Sequence, residues 1–177
     1  YFGADRDTGI FRRTWGRIGC DNVYLDAQGG TGFVAGGANV YTADARINAV
    51  VAFAPDIIHA HGTVNDASKT ALEISTGVAL FVSKLRAASY TGWIVITGHV
   101  GNGNTTGTET TYEANLRAAV AAVTATDSKV VFVPASGDAA GPWVEGSGNV
   151  TATTGVGNAD DIFGSDTVHP VQRGMEI

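Results

Sequence analysis

The sequence predicts an α/β domain in which helices cover both faces of a parallel sheet. Three observations carry this. Short apolar runs alternate along the chain with longer amphipathic ones. The apolar runs show little internal polar alternation, as expected of strands buried on both faces. Helix-length stretches separate them, so successive strands must be joined by crossovers rather than hairpins. The length of 177 residues suits one domain, and 44% hydrophobic against 16% charged residues is enough apolar matter for a core.

The elements follow in order. Asn22 to Ala27 reads as a short strand closing on Gly29-Gly30. Thr42 to Phe53 is helix-like, with Ala43, Ile47, Val50 and Val51 on one side, and Pro55 stops it. Asp56 to Ala60 reads as a buried strand ending in His61-Gly62. A long helix is expected from Asp66 to Ser89, with Ser68 as a candidate cap and Leu72, Val78, Leu80, Phe81 and Leu85 on its apolar side. Trp93 to Thr97 is the next strand, ending at Gly98, and Gly101 to Gly107 is too polar and glycine-rich to be other than a loop. Thr110 to Thr126 forms a second long helix with Leu116, Val120 and Val123 inward, and Lys129 to Pro134 a last strand. From Ser136 to near Asp160 the chain is irregular, and a loop of that length in a compact domain is usually functional or mobile.

Ligands of open parallel sheets bind beyond the carboxyl ends of the strands. Three polar stretches fall at such ends. Gly29-Gly30-Thr31-Gly32 is a tight turn that can aim the Gly30 N–H into a cleft, as an oxyanion donor must, or can simply need positive φ. Gly62-Thr63-Val64-Asn65-Asp66 offers the Asn65 amide as a second donor, or else Asn65 or Asp66 as a helix cap. Asp166-Thr167-Val168-His169-Pro170 sets a carboxylate and an imidazole one turn apart, so that His169 can act as base with Asp166 fixing its tautomer. The same stretch also reads as a helix start, with Asp166 as cap and Pro170 in the first turn. Together the three read as an acyl-transfer site.

Other functions fit less well. A net charge of −6 with 11 Lys and Arg speaks against nucleic acid, which needs clustered positive charge. No run of apolar residues is long enough for a membrane span. Cys20 is the one cysteine, so no internal disulfide forms, and no histidine stands near it in sequence to activate it. His59, His61 and His99 invite a metal, but His59 and His61 are expected on opposite faces of their strand, and no acidic or cysteine cluster completes a set. His61 and His99 are candidate cleft-lining residues beside strand-end glycines, and His59 a core histidine. Trp143 either closes over substrate or fills a gap. Abundant Gly, Thr and Ala with three lysines suits an extracellular or virion-exposed protein.

The three stretches, in this order, resemble the sequence blocks of the SGNH hydrolases, the GDSL-type esterases and lipases. Gly30 matches the glycine of one block. Gly62 to Asp66 matches a Gly-x-Asn-Asp block with one extra residue. Asp166, His169 and Pro170 match the Asp-x-x-His block, and Gly174 falls where that family often has glycine. The resemblance covers almost the whole chain. It implies a three-layer, flavodoxin-like fold and no cofactor. It implies an ester hydrolase, including acetylesterases acting on carbohydrate. His169 would be its base, Asp166 the orienting acid, and Gly30 and Asn65 its oxyanion hole.

The block bearing the nucleophilic serine has no match. No serine precedes Gly30, and Gly3-Ala4-Asp5-Arg6-Asp7-Thr8-Gly9 is the nearest echo. In the family that block follows a central strand, which would pair between Asn22–Ala27 and Asp56–Ala60. Its loss would leave buried backbone groups unpaired at about 1–3 kcal/mol each. The expectation is therefore a single domain over residues 1–177, shortened at both ends, with the Gly-Asp-Ser strand supplied before Tyr1 or by a second polypeptide. The other class of function kept open is a non-catalytic carbohydrate- or cell-surface-binding domain on the same scaffold. A nucleotide or flavin binder fits the fold but finds no phosphate loop.

Overall fold

A computed structural model describes residues 15–20, 22–99 and 107–135. Asp166, His169, Pro170, Gly174, Trp143 and the Gly3–Gly9 stretch lie outside the described residues, as do the rest of the segment expected to be irregular and the helix start expected at Asp166.

The described chain is mixed α/β. Three strands, β1 (Ile57–His61), β2 (Trp93–Thr97) and β3 (Val130–Val133), form a parallel sheet in the order β1-β2-β3. The register pairs Ile58 with Ile94 and His61 with Thr97, then Ile94 with Val130 and Thr97 with Val133. The helices are α1 (Asp44–Ala52), α2 (Ala71–Ala87) and α3 (Gly107–Thr124). Each parallel neighbour is reached through a helix, α2 between β1 and β2 and α3 between β2 and β3, because a short turn cannot return a chain to the same end of a sheet.

One face of the sheet is dry. Ile58, Ala60, Ile94, Ile96 and Val130 are buried there in one cluster with Ile74, Val78, Phe81, Val82 and Leu85 of α2 and Leu116 and Val120 of α3. The opposite face carries His59, His61, Val95, Thr97 and Val131, all half-buried. Burial therefore alternates along β1 and β2, and the expectation of strands buried on both faces does not hold here. The apolar runs misled because Val95 and Val131 stand on the half-buried face, where β-branched residues are also favoured.

Four further expectations are corrected. Residues 22–28 form no strand. This segment is tied to α1 by side chains instead, with Tyr24 stacked on Phe53 at 5.3 Å and Asp26 bonded to Arg46. The second helix begins later than Asp66, at Ala71. Its cap is Thr70 rather than Ser68, because Thr70 and Glu73 form a reciprocal capping box that satisfies two backbone donors. Val64–Asp66 is a separate 3-10 turn. Leu72 and Leu80 do not join the apolar side of α2; Leu72 is 75% exposed, and Ile74, Gly77 and Val82 take those inward positions.

Candidate functional site at the carboxyl rim

Two of the three sequence stretches meet at the carboxyl end of β1. Gly30 sits at φ +71°, a left-handed conformation that glycine adopts without strain. The next residue, Thr31, is buried and is the node of the turn. Its carbonyl accepts from Asn65 Nδ2 at 3.1 Å and from Thr63 Oγ1 at 3.0 Å. Its hydroxyl donates to the Gln28 carbonyl at 2.8 Å and accepts from Arg46 Nη1 at 3.2 Å. The Asn65 amide is thus fixed beside the Gly30 turn by one of its two N–H groups.

Asp66 does not cap a helix. It is fully buried, and its carboxylate accepts from the backbone N–H of Phe33 at 2.7 Å, Val34 at 3.2 Å and Ala35 at 2.8 Å. Three successive N–H groups converging on one carboxylate form an anion nest, here filled from within the chain. Gly32 is required by this arrangement, since a Cβ there would overlap the Asp66 carboxylate. The turn after β1 and the glycine-rich loop are therefore one interlocked unit.

Glu113 on α3 acts in the same way at the neighbouring strands. It is buried, and it accepts from His99 N at 2.8 Å and Ala135 N at 3.1 Å, closing the segments that leave β2 and β3. Two internal carboxylates thus hold the exits of all three strands.

The histidines are placed differently from expectation. His59 and His61 lie on the same face of β1, because residues two apart on a strand share a side. Both reach the hydroxyl of Thr97 across the register, His59 Nε2 at 3.0 Å and His61 Nδ1 at 2.7 Å. On its far side, His59 Nδ1 accepts from Trp15 Nε1 at 3.3 Å. An indole can only donate, so His59 carries its proton on Nε2 and donates it to Thr97. Thr97 Oγ1 accepts that proton and also faces His61 Nδ1, to which its one O–H donates or from which its second lone pair accepts, according to the His61 tautomer. Burial lowers the pKa of His59 to about 4, and burial, with the charges of His59 and His99, lowers that of His61 to about 3. Both rings are neutral near pH 7.

His99 is 6% exposed and packs edge-on against Tyr112, with ring centroids 6.1 Å apart. Neither ring nitrogen has a hydrogen-bond partner among the described residues. Burial lowers its pKa to about 4, an effect that the nearby Gly62 carbonyl partly opposes without forming a hydrogen bond of good geometry. Burial first, then the charge of Asp66, raises the pKa of the Tyr112 phenol, which accepts from Thr63 N at 3.3 Å. Among the described residues no group of three or more His, Cys, Asp or Glu side chains could hold a metal ion, and no helix is long and apolar enough to cross a membrane.

The residues that sequence reasoning missed are Thr31, Arg46, Thr97 and Glu113. One signal was available, a lone arginine among the apolar positions of α1. Threonine and glutamate gave none, because their partners are distant in sequence.

No family model, curated protein or solved structure matches the chain.

Proposed function

We propose that this chain carries the base, the orienting acid and two oxyanion donors of a serine-type carboxylic-ester hydrolase of the SGNH kind, with an acyl ester, including acetylated carbohydrate, as substrate. The observation that supports it is the Asn65–Thr31 hydrogen bond of 3.1 Å. It joins the side chain of one expected oxyanion donor to the residue after the other, at the strand end where parallel sheets bind ligands.

In this reading a serine hydroxyl, carried by a segment outside Tyr1–Ile177, attacks the ester carbonyl. His169 takes the hydroxyl proton and returns it to the leaving alcohol, then takes a proton from the water that displaces the acyl group and returns it to the serine oxygen, while Asp166 holds the imidazole in the required tautomer. The Gly30 N–H and the second N–H of the Asn65 amide stabilise the tetrahedral oxyanion. Asn65 is held in advance by Thr31, so no reorganisation is needed when charge develops.

The test is hydrolysis of p-nitrophenyl acetate and butyrate by the complete protein. His169→Ala is expected to abolish turnover, and Asn65→Ala to lower kcat by roughly a hundredfold. Full activity in His169→Ala overturns the assignment of the base. A complete protein that turns over no ester but retains carbohydrate on an affinity matrix is a binding domain. Reading the coding sequence upstream of Tyr1 for Gly-Asp-Ser separates the two readings at least cost.

A further inference from the structure

We propose that Arg46 is a positioning residue for the Gly30–Thr31 turn, fixing where the Gly30 N–H points relative to the Asn65 amide. The catalytic side of this inference rests on the hydrolase reading; the geometric side does not.

Arg46 lies on α1 and is 9% exposed. Its guanidinium is used on every nitrogen. Nε donates to Asp26 Oδ2 at 2.6 Å, Nη2 to the Asp26 carbonyl at 2.7 Å, and Nη1 to the Asn39 carbonyl at 2.7 Å and to Thr31 Oγ1 at 3.2 Å. Its plane rests on Tyr41, 5.0 Å from the ring centroid. These contacts reach the chain before the turn, within it and after it. Asp26 extends the grip by accepting from Gln28 Nε2 at 3.2 Å.

The turn needs such a grip. Residues 22–28 belong to no ladder, so no sheet register locates them. From the β1 side the turn is held by Thr63, Asn65 and Asp66. From α1 it is held by Arg46. Two anchors on different elements fix a position that one anchor would leave free to pivot.

Stability alone does not explain an arginine here. A buried ion pair is often no better than a well-packed apolar residue, since desolvation offsets the attraction. A planar fork with five donors at fixed angles supplies geometry instead, which a lysine ammonium cannot reproduce. Misplacing a reacting group by about 1 Å can cost on the order of a hundredfold in rate.

The experiment compares Arg46→Lys, Arg46→Met and Lys84→Ala in the complete protein. Lys84 also ties α1 to α2, through Asp44 Oδ1 at 2.6 Å and the Thr42 carbonyl at 2.8 Å, but touches nothing in the turn. Both Arg46 variants are expected to lose about tenfold or more in kcat with KM changed by less than about twofold, and to shift the amide resonances of residues 29–32. Arg46→Met should also lower the melting temperature, because it leaves the Asp26 carboxylate and the Asn39 carbonyl without their donor, so Arg46→Lys, which keeps the charge, carries the kcat comparison. Lys84→Ala should leave kcat and those resonances unchanged. Wild-type kcat and unmoved resonances in Arg46→Lys overturn the proposal, as does an equal kcat loss in Lys84→Ala. A wild-type protein inactive on every ester overturns the hydrolase reading alone, and the amide resonances then decide the positioning role.

Discussion

The carboxylate of Asp66 stands 2.7 Å from the backbone nitrogen of Phe33, thirty-three positions away in sequence, and takes the next two N–H groups as well. Asp66→Asn keeps the shape but turns one acceptor into a donor facing donors. The loss should exceed about 2 kcal/mol, since buried N–H groups are left without partners. Chemical denaturation should show a lower midpoint with an unchanged slope, and the amides of Phe33 and Ala35 should lose exchange protection.

Glu113→Gln makes the same error at the neighbouring strand exits, where His99 N and Ala135 N each need an acceptor. One of the two bonds survives in the amide, so a smaller loss of about 1–2 kcal/mol is expected. Hydrogen exchange at those two amides checks it: the faster amide marks the lost bond, and equal protection of both would contradict the arrangement.

The Trp15–His59–Thr97–His61 chain predicts a specific proton pattern. Nitrogen-15 spectra of histidine-labelled protein at pH 7 should show both rings neutral, with the His59 proton on Nε2. Thr97→Val removes the relay and should move the His61 ring signals, whereas Thr97→Ser should restore them. A His59 ring protonated on Nδ1 in the native protein would refute the assigned direction.

Stability should fall on acidification through this cluster. The folded pKa values of His59, His61 and His99, about 4, 3 and 4, lie below the ordinary 6.5. Between those limits the unfolded chain binds more protons, so stability rises with pH. The contribution is complete above pH 6.5 and is lost as pH drops toward 4. Melting temperatures measured across this window should decline, and His59→Gln with His61→Gln should flatten the decline.

Gly30→Ala isolates backbone strain from crowding. A Cβ at Gly30 meets nothing within 4 Å, yet the residue stays at φ +71°. The expected cost is about 1–2 kcal/mol, with no clash. Gly32→Ala should be far worse, because its Cβ overlaps Asp66. Comparing the two melting temperatures tests the distinction.

The sequence made the alternation of strands and helices legible, and β2 and the body of each helix followed from apolar spacing. Residues 22–28 were misread because apolar content does not reveal whether a ladder partner exists. The start of α2 was displaced because Asp66 looks like a cap until its true partners, far upstream, are seen. The shared face of His59 and His61 was legible from the two-residue period of a strand. The proximity of Gly30 and Asn65 was expected from a strand before Gly30 that residues 22–28 do not form, and only Asn65 follows a strand end; the groups that enforce the proximity, Thr31 and Arg46, form no pattern along the chain.

The carboxylate nest at Asp66 has a mechanical corollary. Residues 33–35 and the end of β1 are clamped through one side chain, so neither can shift without dragging the other. A designer transplanting the glycine turn onto a different sheet would have to carry Asp66 and Gly32 with it, as an inseparable cassette.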